Sequence, residues 1–349
     1  MEKLKAAVIG CGAVSKNHGK ALKNSQRAIL SYCVDIDIEK AEAFSKEYGG
    51  VPLTDYRELS DKDVDVVHIV TPHYLHPEMA IYLLEHGKHV FCEKPLAINP
   101  YDAERMVETS KRCGKRLGVC FQNRMNKSSL EAKEIIDGGK YGKIISALAL
   151  VAWDRGGKYY SESPWRGTYE KEGGSCIINQ SIHTLDLLSW LTDGVKAVSA
   201  MDAHLRDTTD YDTDDSAMAL FKLKCGGSAV AFMSNCCPLS KVCTVEIRLE
   251  KATLTVKQSG LTIETENGSE FHPAETITGY KSEWGVSHGV LIDSFYRSIE
   301  EGTPFISEGE TGIEAVKIIN AIQHSKGKFI ELWGMDFKSS TEGREVFSL

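Results

Sequence analysis

The sequence has no apolar run long enough to cross a membrane, since its longest runs have the length of a β-strand. Acidic side chains outnumber basic ones, 49 against 41, so the basic excess typical of a nucleic-acid-binding surface is missing. The first residues, Met1–Lys5, run directly into a strand and lack the apolar core of a signal peptide. We therefore expect a cytoplasmic protein whose partners are neither membranes nor nucleic acids.

Cys-x-x-Cys pairs are missing as well. The ten cysteines are scattered along the chain, and several lie inside apolar runs, which is typical of buried, reduced thiols. The pairs His73/His76 and His86/His89 have a His-x-x-His spacing, but no Cys/His spacing of zinc type accompanies them. The sequence therefore predicts no metal site.

The length and composition predict a globular protein of two domains. A chain of 349 residues exceeds the size at which a single core stops growing, and its 42% hydrophobic and 26% charged residues are ordinary for a globular protein. The residue pattern changes after Phe121. We predict a first domain over residues 1–121 and a second over residues 122–349.

A glycine-rich turn follows the first predicted strand, Leu4–Ile9. Gly10 allows a tight turn, and Gly12 lets main-chain N–H groups approach a pyrophosphate at the start of the next helix. The second strand, Ile29–Val34, ends in Asp35, where a carboxylate can accept hydrogen bonds from both ribose hydroxyls. A carboxylate repels a 2′-phosphate, so NAD is favoured over NADP. The alternative is that Asp35 merely flanks a helix.

Strands and helices continue to alternate over about 120 residues, which is the pattern of a doubly wound α/β domain. Polar residues follow three of the strands, in the segments Gly10–Ser15, Thr71–His76 and Glu93–Pro95. The predicted elements after Asp35 are a helix over Ile38–Tyr48, a strand over Asp65–Val70, a helix from about Pro77 to His86, a strand over His89–Cys92, a helix over Pro100–Cys113 capped by Asn99, and a strand over Leu117–Phe121.

Lys94 follows the strand His89–Cys92 directly and precedes Pro95. Ligands of open parallel sheets bind outside the carboxyl ends of the strands. Proline fixes its own φ and restricts the residue before it, so we expect Lys94 to be aimed into the ligand crevice. The alternative is a strand that simply ends in a charged loop.

Three motifs together resemble the glucose–fructose oxidoreductase/inositol dehydrogenase (Gfo/Idh/MocA) family. They are Gly10-x-Gly12-x-x-Ser15 with His18, Thr71-Pro72-His73-x-x-His76, and Gly87-Lys88-His89-Val90-x-Cys92-Glu93-Lys94-Pro95-Leu96. The resemblance implies a Rossmann domain followed by an α+β domain with a large, mostly antiparallel sheet. It implies that Lys94 contacts both cofactor and substrate. The cofactor-binding residues expected from the glycine turn and the resemblance are Gly10, Cys11, Gly12, Ala13, Val14, Asp35, Thr71, Pro72, His73, His76, Glu93, Lys94 and Gln122.

A loop rich in aromatic residues and arginine, Trp153–Gly174, follows the predicted strand Ile144–Ala152. Loops of this composition bind sugars or flat rings, although a loop packed on its own aromatics is the alternative. The expected substrate-binding residues are Trp165, Arg166, Tyr160 and Arg124, together with Asn179.

Asn179, His183 and Asp186 have helical spacing, so we predict that they share one edge of a helix beside an apolar stripe. The family typically carries Asp-x-x-x-His here, and its histidine is the proposed general acid/base. In this chain Asn179 replaces the aspartate, which removes a negative charge. We expect His183 to act as general base, Lys94 to stabilise the oxyanion and Asn179 to orient the hydroxyl.

The chain after Gly194 alternates with period two and predicts a sheet. The acidic stretch Asp210–Asp215 is interpreted as a solvated loop at a sheet edge. The resemblance implies a homodimer or homotetramer formed through the open sheet face. The predicted strands are Val195–Leu205, Ser216–Leu223, Ser228–Met233, Thr244–Leu249 and Thr253–Val256, with a hairpin turn at Cys225–Gly227, and the predicted closing helices are Val286–Glu301 and Glu310–His324.

The expected function is NAD-dependent hydride transfer at a secondary hydroxyl of a sugar, anhydrosugar or cyclitol. Two alternatives remain open at this point. One is a glycoside-cleaving relative that uses tightly bound NAD transiently, by oxidation, elimination, hydration and reduction. The other is an NAD-binding protein without catalysis.

Overall fold

The computed structural model describes residues 2–274, 287–333 and 347–348, and its strands form two separate sheets. The described helices are α1 (Ser15–Asn24), α2 (Ile38–Tyr48), α3 (His76–Glu85), α4 (Pro100–Cys113), α5 (Lys127–Asp137), α6 (Gly157–Ser161), α7 (Ile182–Leu191), α8 (His288–Glu301) and α9 (Gly309–His324). No helix within these ranges is both long enough and apolar enough to pass through a bilayer.

The strands of the first sheet are β1 (Leu4–Ile9), β2 (Ala28–Val34), β3 (Val51–Leu53), β4 (Val66–Ile69), β5 (His89–Cys92) and β6 (Leu117–Val119). Those of the second are β7 (Ile144–Ala152), β8 (Val195–His204), β9 (Ser216–Leu223), β10 (Ser228–Ser234), β11 (Thr244–Leu249), β12 (Thr253–Lys257), β13 (Gly260–Thr265), β14 (Gly268–Pro273), β15 (Ile330–Glu331) and β16 (Phe347–Ser348).

The first compact unit comprises residues 2–122 and 287–313. Its six strands are all parallel in the order β3-β2-β1-β4-β5-β6, which confirms the predicted doubly wound sheet. Strand β4 is buried throughout, as expected for a parallel strand covered on both faces. The order reverses beside β1, so the segments after β1 and β4 lie at the switch point where such sheets bind ligands.

Helix α8 completes the core of this first unit. Phe295 packs its ring on Phe91 at 5.1 Å between centroids, and it lies so close to Gly118 that a Cβ there would be 2.8 Å from the Phe295 ring. Both phenylalanines are fully buried. The helix begins at His288 rather than at the predicted Val286, which lies outside the described residues.

The second compact unit comprises residues 123–274, 314–333 and 347–348. Its sheet has the order β14-β13-β12-β11-β7-β10-β9-β8-β15, with β16 beside β8. Most pairs are antiparallel, as predicted, whereas β7 pairs with β10 and β8 with β16 in parallel. Helices α5 and α7 contact one face through β7, β11, β12 and β13. Strand β9 accordingly alternates between buried and exposed residues.

The interpretation of Asp210–Asp215 as a solvated loop is wrong for its last two aspartates. Asp214 and Asp215 are fully buried. The Asp214 carboxylate accepts hydrogen bonds from the main-chain N–H groups of Ser175, at 3.0 Å, and Ile177, at 2.7 Å. Burial raises the pKa of Asp214 to about 7, although these two hydrogen bonds act in the opposite direction.

The predicted continuous helix around Asn179 is also wrong. Cys176–Gln180 forms a π-helical turn, and α7 begins only at Ile182. The regular spacing therefore joins His183 and Asp186 but does not extend to Asn179. Turns of π type often occur at functional sites, and Asp214 satisfies the main-chain donors at the start of this one.

Candidate active site

The glycine turn of the first unit has the shape that a dinucleotide requires. Gly10 has a φ of +90°, and a Cβ added to it would lie 2.5 Å from the carbonyl oxygen of Val70. A Cβ on Gly12 would have no heavy atom within 4 Å, so its main chain is open to an approaching group. Helix α1 then starts at Ser15 without a side-chain cap. These features fit a diphosphate bound at the helix N-terminus.

Asp35 lies at the end of β2, as predicted, and is tied to the glycine turn. Its Oδ2 accepts a hydrogen bond from the main-chain N–H of Cys11 at 2.8 Å, and its Oδ1 accepts one from Asp37 at 3.0 Å. A carboxylate has about four acceptor positions, so lone pairs remain for ribose hydroxyls. Ile36, the next residue, is 95% exposed and carries no charge that could attract a 2′-phosphate.

His76, a predicted cofactor contact, lies between two main-chain carbonyl groups. Its Nδ1 lies 2.8 Å from the carbonyl oxygen of Pro95, and its Nε2 lies 2.9 Å from that of Thr71. The ring is fully buried, and burial lowers its pKa. The imidazole thus lies between the segments that follow β4 and β5, and in its neutral form it donates a hydrogen bond to one of the two carbonyl oxygens.

Glu93 and Lys94 follow β5 directly, and both side chains are buried. Glu93 Oε2 accepts a hydrogen bond from the main-chain N–H of Lys94 at 3.2 Å. Burial raises the pKa of Glu93, but the hydrogen bond from His18 and the neighbouring His288 and Lys94 outweigh it and leave this pKa well below its ordinary value. Glu93 is therefore a buried carboxylate beside the lysine.

A chain of buried hydrogen bonds leads from Glu93 into the core of the first unit. His18 Nε2 contacts Glu93 Oε1 at 3.0 Å, His18 Nδ1 contacts His68 Nδ1 at 2.9 Å, and His68 Nε2 contacts the Tyr296 hydroxyl at 2.8 Å. Each contact is satisfied if Tyr296 donates to His68, His68 to His18, and His18 to Glu93. Burial lowers the pKa of His68, in agreement with its neutral form.

The donor atoms of His18, Glu93 and Cys120 lie within 4.8 Å of one another in the described part of the chain. A cysteine binds a metal as its thiolate. Burial raises the pKa of Cys120, and the contact between His18 and Glu93 is already a hydrogen bond. The arrangement is therefore better explained by hydrogen bonding than by metal coordination.

Gln122 is buried at the end of the first unit, as a cofactor-binding residue could be. Its Oε1 accepts from the Cys120 thiol at 3.8 Å, whereas its buried Nε2 has no acceptor among the residues that the structure describes. A buried amide without an acceptor is costly unless a ligand supplies one. This orphaned donor fits the expected cofactor contact.

In the second unit, Asn179 is held by two neighbours that the predicted set of site residues did not contain. Its side-chain N–H group donates to the buried carboxylate of Glu172 and to the Tyr159 hydroxyl, the latter at 3.3 Å. Gln180 donates to the same hydroxyl at 2.7 Å. Glu172 also accepts a hydrogen bond from the main-chain N–H of Gly167. The orientation of the Asn179 amide is thereby fixed. His183, in the first turn of α7, is buried as well.

Tyr160 packs inside the second unit rather than facing the Asn179 cluster. Its hydroxyl bonds with Ser175 at 2.6 Å and accepts from Asn235 at 3.1 Å, and its ring lies 4.1 Å from that of Tyr211. The side chain is buried. The hydrogen bonds to Asn179 and Gln180 are made by its neighbour Tyr159.

Arg124, a predicted substrate contact, forms a buried ion pair with Asp186. Its Nε donates to Asp186 Oδ2 at 2.9 Å, and its Nη2 donates to Asp186 Oδ1. Both side chains are buried. The Arg124 guanidinium also lies 5.8 Å from the Trp190 ring. The pair links the start of the second unit to α7.

Trp165 and Arg166 are the other predicted substrate contacts, and Arg166 lies over the rings of both Tyr159 and Trp165. The Arg166 guanidinium carbon is 4.3 Å from the centre of the Tyr159 ring and 5.6 Å from that of Trp165. Arg155 stacks on Tyr159 as well, at 5.7 Å, and on Trp153 at 4.7 Å. The loop thus brings two arginines to the tyrosine that holds Asn179.

Comparison with known proteins defines the class. Residues 4–121 match the model of an oxidoreductase family described by its NAD-binding Rossmann fold, and residues 129–255 match the C-terminal domain of the same family. The chain belongs to the Gfo/Idh/MocA family.

The chain is similar to several named dehydrogenases. The inositol 2-dehydrogenase of Salmonella typhimurium is 32% identical over 193 residues, and the match spans about half (54%) of either chain. The scyllo-inositol 2-dehydrogenase (NAD+) of Bacillus subtilis is 25% identical over 317 residues, which cover 87% of this chain and 89% of that one. The WlbA dehydrogenase of Bordetella pertussis, solved with NADH and UDP-GlcNAcA, is 27% identical with a TM-score of 0.84, covering 95% of this chain and 98% of its own.

Proposed function

We propose that the protein is an NAD-dependent oxidoreductase that acts on a secondary hydroxyl of a sugar, anhydrosugar or cyclitol. The observation that carries this proposal is the open dinucleotide turn at Gly10–Gly12 in a chain of this family. Relatives named inositol 2-dehydrogenase and D-glucoside 3-dehydrogenase support a cyclic polyol as the substrate.

Residues of the first unit would hold the cofactor. The main chain of the glycine turn would bind its diphosphate, Asp35 its adenosine ribose, and the Gln122 amide another of its polar groups. When bound, NAD supplies the acceptor for the hydride of the alcohol. Asp35 supports NAD over NADP, because its carboxylate repels a 2′-phosphate. Asp35→Ser should therefore raise the kcat/KM ratio of NADP over NAD by at least ~10-fold.

The reacting alcohol needs a proton acceptor and a positive charge near its oxygen. We infer that the imidazole of His183 takes the hydroxyl proton and that the Lys94 ammonium stabilises the charge that develops on the oxygen. Asn179 would orient the hydroxyl, since its amide is fixed by Glu172 and Tyr159. The ionised Glu93 beside Lys94 would balance the charge of the ammonium.

An absorbance screen for NADH across anhydrosugars, inositols, free hexoses and nucleotide sugars tests the proposal. One of these classes should produce NADH in proportion to the substrate consumed. Cleavage of a glycoside without net NADH would instead indicate transient use of the cofactor. Tight NAD binding with no turnover of any class would indicate a non-catalytic protein.

We further propose a homo-oligomer, a dimer or a tetramer, that forms through the open face of the second sheet. Met218, Leu220 and Phe232 on this face are 63%, 52% and 42% exposed, and Met218 lies directly opposite Phe232 in the β9–β10 register. Exposed apolar patches of this kind mark protein interfaces.

All ten cysteines are free thiols, which supports a reducing, cytoplasmic environment.

A further inference from the structure

Two arginines of the loop before the π-helical turn stack on one tyrosine. The guanidinium carbons of Arg155 and Arg166 lie 5.7 Å and 4.3 Å from the centre of the Tyr159 ring. Stacking uses the flat face of a guanidinium and leaves the N–H groups at its edge available. The Tyr159 ring therefore fixes the positions of the two guanidinium groups without neutralising their positive charges.

Other arginines of the second unit are neutralised by carboxylates. Arg124 pairs with Asp186, Arg206 with Asp154 and Arg248 with Glu246. Neither Arg155 nor Arg166 has such a partner among the described residues, and their hydrogen bonds go to uncharged oxygens. Two cations held close together repel each other, so the loop bears a cost that a bound anion would remove.

Many donors of the two side chains remain unused. Arg155 donates through Nε to Gln180 at 3.4 Å and through one terminal nitrogen to the Asp154 carbonyl, and Arg166 donates to the Tyr159 carbonyl at 3.1 Å. A guanidinium carries five N–H groups in a fixed fork. In addition, the buried Nε of Arg166 has no acceptor within the described part of the second unit. Such forks match the oxygens of a carboxylate or a phosphate.

The arginines share their tyrosine with Asn179, the residue proposed to orient the reacting hydroxyl. The Tyr159 hydroxyl accepts from Asn179, and Gln180 bridges Tyr159 and Arg155. We propose that Arg155 and Arg166 form a subsite for an anionic group, a carboxylate or a phosphate, carried by the sugar substrate. The inference rests on the proposed function and narrows its substrate to an acidic sugar.

Three matched sugars test this inference with the full-length protein and NAD: glucose, glucuronate and glucose 6-phosphate. The wild type should oxidise one of the two anionic sugars with a kcat/KM at least ~10-fold above that for glucose. Arg155→Gln and Arg166→Gln should each lower this anionic-to-neutral ratio by ~10-fold or more, chiefly through KM. The better of the two acids distinguishes a carboxylate from a phosphate.

Lys158→Gln is the matched control. It removes one positive charge from the same loop, but its side chain is 89% exposed and lies beside Glu162. The control should keep the wild-type ratio. A ratio that falls equally in the control would show a general charge effect and overturn the inference. So would arginine variants that weaken NADH binding while the ratio stays constant, because the arginines would then serve the cofactor.

The inference and the proposed function fail in different ways. Oxidation of neutral sugars or cyclitols with no preference for the acids would overturn the subsite alone. If no sugar were oxidised, the proposed function would fail, and calorimetric titration of the NADH-loaded protein with the two acids would test the subsite. Binding that is lost in Arg155→Gln would support it, and absence of binding would overturn it.

Discussion

The side-chain amide of Asn179 donates a hydrogen bond to the carboxylate of Glu172, and both residues are buried. The resemblance to the family implies an aspartate at the position of Asn179. Here the negative charge belongs instead to Glu172, seven residues earlier in the chain. The Glu172–Asn179 pair therefore contains one carboxylate and one amide.

Exchanging these two groups tests the pairing. Asn179→Asp places two buried carboxylates in contact, so it should destabilise the fold and lower kcat/KM by at least ~10-fold. Adding Glu172→Gln removes one of the two carboxylates, so the pair again has a single charge. The double variant should recover most of the lost stability and most of the lost kcat/KM, and Glu172→Gln alone completes the set. Urea unfolding of the four proteins should give a coupling free energy of about 1–3 kcal/mol. Additive effects would show that the two side chains act independently.

Replacing Lys94 tests its proposed catalytic role. Lys94→Ala should lower the single-turnover rate of hydride transfer at least ~10²-fold, because the developing oxyanion loses its cation. The Kd for NADH, measured by fluorescence, should change by only a few fold. Lys94→Arg keeps the positive charge on a group of different shape, so its single-turnover rate should lie between those of the wild type and Lys94→Ala. A single-turnover rate equal to that of the wild type would remove Lys94 from the mechanism.

Asp214 predicts an unusual dependence of stability on pH. Its pKa is about 7 in the folded protein against an ordinary value of 3.8, so the folded state holds a proton that the unfolded state releases between these values. Stability should therefore fall as the pH rises from about 4 to about 7, by up to a few kcal/mol. In Asp214→Asn this part of the decline should disappear in urea titrations.

The control for that measurement is Asp212→Asn, which removes a charge from the exposed part of the same acidic stretch. If Asp214→Asn and the wild type lose stability in parallel between these pH values, Asp214 is ionised in the folded state throughout. The hydrogen bonds to its carboxylate would then outweigh the effect of burial on its pKa.

A charge on the open sheet face should break the oligomer. Phe232→Glu places a carboxylate among exposed apolar side chains, where burial in an interface would require its desolvation. Light scattering after size exclusion should show a smaller species than the wild type. Val51→Glu, at a 55% exposed position on the edge of the first sheet, is the control. An unchanged mass for Phe232→Glu would exclude this face as the interface.

Elements with strong local signals were predictable from the sequence. The bounds of α2, α4, β1, β5 and β7 are those expected. For α4 the reasons are local, because Asn99 accepts a hydrogen bond from Asp102 and Gly114 ends the helix with a φ of +62°. Strands β13 and β14 were missed, and β14 is almost wholly exposed, so no buried alternation marks it.

Contacts between distant segments account for what the sequence could not predict at the site. Nothing in the sequence around Tyr159 and Tyr160 indicates which of them faces Asn179. Asn235, 75 residues after Tyr160, donates a hydrogen bond to the Tyr160 hydroxyl, and Tyr159 is the one that contacts Asn179. Likewise, Asp214 is buried because main-chain N–H groups nearly 40 residues earlier need acceptors. Burial of a carboxylate by such partners leaves no local pattern.

The place of Phe295 and Tyr296 has a consequence for synthesis on the ribosome. These residues fill the core around Phe91 and His68, yet they are translated well over a hundred residues after the sheet that they cover. Until they emerge, the nascent sheet lacks its cover and exposes apolar surface. Folding of the nucleotide-binding half must therefore wait for almost the whole chain, and a fragment ending at residue 122 should be insoluble or bound to chaperones.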